Sequence, residues 1–77
     1  MNRERRKELV AAKAKLDEVI NLLQQISENE QNAFDNLPEG IQGSERGEQM
    51  QSYADTISDI ASTLEDQSLE LDEIING

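Results

Sequence analysis

The side chains in this sequence that could do chemistry are mostly carboxylates. Seventeen of the 77 residues are Asp or Glu and seven are Lys or Arg. Carboxylates are the ligands that Ca²⁺ and Mg²⁺ prefer, and seven of them crowd the last third of the chain: Asp55, Asp59, Glu65, Asp66, Glu70, Asp72 and Glu73. No segment has the ligand spacing and central glycine of a calcium-binding loop. We therefore interpret these acids as a solvated helix face and predict no metal site.

The residue types on which most catalytic sites depend are missing. There is no His, the commonest general base and transition-metal ligand. There is no Cys, which excludes disulfides, thiolate zinc sites and cysteine nucleophiles. Carboxylates and lysines alone can support catalysis, but a chain this short with no predicted sheet offers little room for a pocket. We predict a non-enzymatic protein with no cofactor.

Two segments could bind anions. Residues 3–7 are rich in Arg and Lys, and residues 40–44 hold two glycines before a predicted helix start, a geometry that suits anions. The second segment lacks the lysine of a phosphate-binding loop, and a net charge of -10 with a pI of 4.2 opposes attraction to nucleic acid or anionic membranes. No apolar stretch approaches the roughly 18 residues of a membrane span. We expect a cytoplasmic protein without direct nucleic-acid or membrane binding.

Apolar residues recur in alternating steps of three and four along two segments, which predicts two helices over about residues 3–36 and 44–75. The first series is interrupted by Glu30 and consists of Leu9, Ala12, Leu16, Val19, Leu23, Ile26, Ala33 and Leu37. The second is interrupted by Gln67 and consists of Met50, Tyr53, Ile57, Ile60, Leu64, Leu71 and Ile74. Pro38 and Gly40 end the first helix, and Ser44 is a good N-cap for the second. The sequence predicts an all-α, single-domain antiparallel hairpin over residues 1–77.

Charge and surplus apolar residues extend this prediction. Residues 1–15 hold six of the seven basic residues, and the second helix ends in acids, so a hairpin is expected to pair the two ends. A two-helix hairpin covers only one side of each core side chain. Further apolar residues beside the two series predict a homo-oligomer of the four-helix-bundle type. The predicted oligomer interface is Val10, Ile20, Leu22, Leu69 and Ile75.

The connecting loop is longer than a plain turn requires. Leu37 and Ile41 are expected to fold back with Phe34 and cover the end of the hairpin. Gly47, in the first turn of a helix, costs about 1 kcal/mol relative to Ala, so we expect either a close approach of another segment or a turn that stays open. Protein binding is predicted at four charged loop residues: Glu39, Glu45, Arg46 and Glu48.

Residues 33–39 (AFDNLPE), followed by residues 43–48 (GSERGE) and an acidic helix, resemble a group of small acidic proteins of tailed bacteriophages and prophages. The resemblance covers essentially the whole chain and is most specific in the loop. It implies a phage origin, a helical fold and the cytoplasm of a bacterial host, and it transfers no functional residues. Because small phage proteins often inhibit host enzymes or defence systems, it also implies a role in host takeover or anti-defence.

Three functions therefore stay open. The leading one is an interaction protein that self-associates and modulates or inhibits a host or phage protein. An alternative is an oligomeric sponge for a nucleotide signal, with contacts drawn from Arg3, Arg5, Arg6, Arg46 and Tyr53. A third is an acidic DNA mimic or a virion assembly factor, although the basic first fifteen residues interrupt the acidic surface that mimicry requires.

Overall fold

The computed structural model describes residues 1–77 and contains helices only. Helix α1 covers Arg3–Asp35, the one-turn helix α2 covers Glu39–Gln42, and α3 covers Glu45–Asn76. Helices α1 and α3 pack against each other along their lengths in opposite directions and form a rod of 58 × 14 × 13 Å. The predicted bounds of the two long helices are confirmed to within one residue. Helix α2, in the predicted loop, was not expected.

Side chains define where the helices begin. The Asn2 side-chain oxygen accepts a hydrogen bond of 2.8 Å from the Arg5 backbone N–H, which satisfies one free donor of the first turn of α1. Ser44 does the same for α3, because its hydroxyl accepts from the Gly47 N–H at 3.3 Å. The predicted N-cap role of Ser44 is confirmed. Pro38 precedes α2, where its fixed φ of -56° suits the entry to a helix.

The residues between α1 and α3 repeat every seven residues at two heptad positions, here named a and d. All of them are buried or half-buried. Position a is occupied by Arg6, Lys13, Ile20, Ser27 and Phe34 in α1 and by Gly47, Ala54, Ala61, Ser68 and Ile75 in α3. Position d is occupied by Leu9, Leu16, Leu23 and Glu30 in α1 and by Met50, Ile57, Leu64 and Leu71 in α3.

About half of the residues predicted to lie between the two helices are wrong, and in each case the buried residue is the next one along the chain. The d residues are those predicted, but the structure buries position a where the prediction chose the preceding residues, at position g. These g residues are all exposed: Ala12, Val19, Ile26 and Ala33 in α1, and Tyr53, Ile60, Gln67 and Ile74 in α3. Both choices satisfy alternating steps of three and four, and the prediction favoured the larger side chains. The structure instead buries small residues such as Ala54 and Ala61, which let the two backbones approach closely.

The contact between the helices is thin. Only Ile20, Ala54 and Ala61 form its fully buried apolar part, and no large side chain is completely enclosed. Ten large hydrophobic residues are more than two-fifths exposed. A single hairpin therefore leaves much of its apolar surface in water.

Candidate interaction surfaces

The hairpin has two sides of opposite character along its length. Because α3 runs antiparallel to α1, positions a and e of both helices lie on one side of their contact, and positions d and g lie on the other. Every side-chain hydrogen bond between the two long helices involves residues at a or e. We call the a and e side the polar side, and the d and g side the apolar side.

A charged cluster on the polar side joins the helices near the termini. Lys13 lies 2.9 Å from the Asp17 carboxylate and 3.5 Å from that of Asp72, while the Ser68 hydroxyl donates a 2.6 Å hydrogen bond to Asp17. The hydrogen bonds from Ser68 and Lys13 lower the pKa of Asp17 below its ordinary value of 3.8. The hydrogen bond to Asp17 raises the pKa of Lys13 above 10.5. Both shifts favour the charged forms of the two side chains.

Uncharged groups continue the polar side toward the loop. Gln31 and Gln51 exchange hydrogen bonds of 3.0 and 2.7 Å across the helices. The Ser27 hydroxyl donates to the Ala54 carbonyl at 2.7 Å, and Gln24 donates to Glu65 at 2.6 Å. A shallow open groove between these groups is lined almost entirely by polar residues. No buried side-chain polar atom lacks a hydrogen-bond partner, so the buried polar groups between the helices are satisfied within one hairpin.

The predicted pairing of opposite charges at the open end is realised at one residue only. Both ion pairs of the hairpin use Lys13, and only the pair with Asp72 crosses between helices. Arg6 instead donates to the Ile75 carbonyl at 2.8 Å and satisfies a free acceptor at the end of α3. The exposed Arg3, Arg5 and Lys7 form no ion pair. Their charges remain available to another molecule.

The apolar side is not covered by any other part of the hairpin. Its g residues include Val19, Ile26, Tyr53, Ile60 and Ile74, whose exposed fractions lie between 46% and 53%. The leucines, isoleucine and methionine at d beside them are only half-buried. An exposed apolar strip of this extent on a protein surface usually marks a contact with another molecule.

The apolar side also lacks the acidity of the rest of the molecule. On positions d and g and the adjoining outer position c, three residues are basic and three acidic: Arg5, Lys15, Arg46, Glu8, Glu30 and Glu70. The net charge of -10 is therefore carried entirely by the remaining surface. Another molecule can approach the apolar side without facing the concentrated negative charge.

The predicted oligomer-interface residues do not share one surface. Ile20 is 4% exposed between α1 and α3, so it supports the hairpin itself, and Ile75 is half-buried at position a. Val10 and Leu69 are exposed toward the polar side, where Leu69 borders the groove beside Lys13 and Asp17. Of the five, only Leu22 adjoins the apolar side. The g residues, which the sequence analysis assigned to the interior, are exposed; the excess width of the apolar stripe, which spans a, d and g, was the signal that could have indicated this.

The loop end is a packed connection with a charged exterior. A Cβ on Gly47 would overlap the carbonyl groups of Ile41 and Gln42, so the close approach expected at Gly47 is that of α2. The Gln42 side chain donates to the carbonyls of Phe34 and Asp35 at the end of α1. Phe34 and Leu37 are half-buried, whereas Ile41 is 41% exposed and covers the end of the hairpin only in part.

The four residues predicted to bind a protein partner lie outside this packing. Glu39 begins α2, and Glu45, Arg46 and Glu48 belong to the first turn of α3. All four are exposed, and none forms an ion pair. They form an open charged surface without a pocket.

The hairpin has few features of a metal site, a membrane-spanning segment or a nucleotide site. No group of three or more Asp or Glu residues is arranged to hold a metal ion. No helix combines the length and apolar character needed to cross a lipid bilayer. The residues considered for a nucleotide signal are divided within one hairpin, with Arg3, Arg5 and Arg6 toward one end of the rod and Arg46 and Tyr53 toward the other.

No protein-family model, curated protein or solved structure matches this chain at a significant level. Its function must therefore be inferred from the surfaces that the hairpin presents. These are a polar side whose groups bond across the two helices, an apolar side open to water and a charged loop end.

Proposed function

We propose that this chain is a non-enzymatic interaction protein. It assembles into a four-helix bundle through its apolar side and binds another protein through the charged surface that remains outside. The observation that carries the proposal is the division of the hairpin into an apolar side without net charge and a remaining surface that carries the entire charge of -10.

Assembly follows from the incomplete burial of the apolar side. Completing the burial of a side chain that is already half covered contributes about 1 kcal/mol. Five large g residues and the half-buried d residues offer this gain in every copy. Four-helix bundles close such surfaces by packing two hairpins face to face.

We assign the surface that binds the partner protein from the distribution of charge. After assembly, the loop residues Glu39, Glu45 and Glu48 and the outward acids of α3, such as Asp59 and Asp66, stay in water. A protein with a basic surface is the matching partner, because complementary potentials speed association and select among partners. The resemblance to small acidic phage proteins makes a bacterial host protein or a phage protein the first to be sought, with inhibition or modulation of that protein as the outcome.

The test combines the mass of the protein with salt-dependent capture. Sedimentation equilibrium is expected to give a multiple of the 8.7 kDa chain. The folded protein, immobilised and exposed to bacterial lysate, is expected to retain a protein that is released as the salt concentration rises. Reversing charges with Asp59→Lys and Asp66→Lys should abolish retention without changing the mass.

A second variant locates the partner surface more closely. Glu48→Lys should reduce retention if the loop end contributes, with the mass unchanged. If both charge variants retain the protein fully, the acidic surface has no role in binding. A monomeric mass at high concentration would refute the assembly.

A further inference from the structure

We infer that the apolar side is covered by a second copy of this chain lying antiparallel to the first. In this arrangement each loop end lies beside the second copy's open end, where α1 begins and α3 ends. Helix α1 then faces α1 of the second copy, and α3 faces α3. The inference rests on the proposed assembly and specifies its geometry.

The dimensions of the hairpin suit a second copy. One side of a rod of 58 × 14 × 13 Å presents about 800 Å², which is the area that a specific interface covers on each partner. The apolar strip runs along most of this length, from Ile74 near the open end to Tyr53 near the loop. An equally long rod with the same strip covers it throughout, and a two-fold axis lets the same surface serve both copies.

Glu30 distinguishes between the two possible directions. It is the only charged residue at position d, and it lies half-buried toward the loop end of the apolar side. In a parallel pair, the two Glu30 carboxylates would lie at the same level of the bundle core and repel each other in a poorly solvated space. In an antiparallel pair they are separated by roughly 30 Å, given a helical rise of 1.5 Å per residue.

The distribution of charge along the rod favours the same direction. Residues 20–62, which form the loop half, hold eight acidic residues and one basic residue, whereas the remaining residues hold nine acidic and six basic ones. A parallel pair would place the two strongly acidic halves together. An antiparallel pair places each beside a less acidic half, where Arg3, Arg5 and Lys7 have no ion-pair partner within their own hairpin.

Introduced cysteines can report the direction directly, because the chain has none of its own. Thr63 lies on the margin of the apolar side near the middle of α3. In the antiparallel pair it faces Thr63 of the second copy, so Thr63→Cys should form a covalent dimer on mild oxidation. Asn29 and Thr56 lie at one level on the opposite margins of one hairpin. A mixture of Asn29→Cys and Thr56→Cys should therefore cross-link only in a parallel pair.

All three positions are exposed, so the variants should keep the helical circular dichroism and the sedimentation mass of the wild type. The expected result is that most of Thr63→Cys becomes covalent dimer while the mixture forms little. A non-covalent dimer in which only the mixture cross-links, or in which neither does, would overturn the antiparallel arrangement. A monomeric mass would instead overturn the proposed assembly.

Discussion

At the scale of single residues, the hairpin depends on small and polar side chains more than on large apolar ones. Gly47, Ala54, Ala61 and Ser68 occupy successive a positions of α3 and are the most buried residues of that helix. Their size sets how closely α1 can approach. The one buried hydroxyl among them, Ser68, is satisfied by Asp17 of the facing helix.

Ala61 has little room for added volume. It is 1% exposed, and Ala61→Leu would force the helices apart or into strained rotamers, lowering the free energy of unfolding by about 1–3 kcal/mol. Urea denaturation followed by circular dichroism measures this loss. Ser62→Leu places the same side chain on the adjoining exposed position and should change stability by less than about 0.5 kcal/mol. Equal losses in both variants would show that Ala61 is not a tight contact.

Ser68 should make stability depend on pH through Asp17. The folded-state pKa of Asp17 lies below its ordinary value of 3.8, so its contribution is present above that value and is lost as the pH falls through the folded pKa. Ser68→Ala removes the main cause of the shift. The stability difference between wild type and Ser68→Ala should thus be largest near neutral pH and shrink below about pH 4.

Urea denaturation at neutral and acidic pH measures this difference, and NMR titration of the Asp17 carboxyl should show its pKa rising in Ser68→Ala. Ser62→Ala, at an exposed position, is the control and should leave the titration unchanged. A difference between wild type and Ser68→Ala that does not depend on pH would contradict the assigned hydrogen bond.

At the scale of elements, the connection between the long helices is held by contact of α2 with the first turn of α3. The Gly47 N–H is bonded to Ser44, and its Cα lies against the carbonyls of Ile41 and Gln42. Gln42 also caps the end of α1. The three helices therefore meet at one small joint that depends on the absence of a side chain at Gly47.

Gly47→Ala should consequently destabilise the protein although Ala is the better helix former. The added methyl group overlaps backbone carbonyls that cannot move without displacing α2, a cost we expect to exceed the gain of about 1 kcal/mol in helix propensity. Gly43→Ala is the matched control, because Gly43 has a right-handed φ of -82° and open space around it. That variant should be neutral or gain about 0.4–1 kcal/mol. Thermal unfolding compares the two, and a Gly47→Ala variant as stable as Gly43→Ala would exclude the close contact.

At the scale of the whole molecule, the surface divides into a side whose polar groups bond across the two helices and a side whose large apolar residues stay half exposed. Ile60 is 48% exposed on the apolar side, and Leu69 is 62% exposed toward the polar side. Exposure alone would therefore rank Leu69 as the stronger contact. We expect the opposite order, because Ile60 lies on the apolar side and Leu69 lies toward the polar side.

Ile60→Asp should shift the assembly toward the 8.7 kDa monomer, because it buries a carboxylate in the interface without a partner. Leu69→Asp should leave the mass unchanged. Sedimentation equilibrium over a range of protein concentrations separates these outcomes. Dissociation by Leu69→Asp but not by Ile60→Asp would support the interface first predicted from the sequence, which includes Leu69.

The sequence by itself determined the helices of this protein. Pro38 closely follows the end of α1, and Ser44 caps α3, whereas Gly40, also expected to end α1, lies within α2. The seven-residue repeat of d residues such as Leu16, Leu23 and Leu64 establishes two long helices that pair in opposite directions. These features depend on local backbone chemistry and on periodicity, both of which are present in a single chain segment.

Only the tertiary structure decided which residues complete the contact. Positions a and g both lie next to d, so periodicity permits either, and the larger residues at g attracted the prediction. The choice depends on how closely two backbones can approach, which is a property of both helices together: Ala54 and Ala61 permit the approach, and Ser68 with Asp17 satisfies its polar groups. The same dependence on a facing helix explains why the exposed apolar side, and with it the candidate interaction surface, emerged only from the folded hairpin.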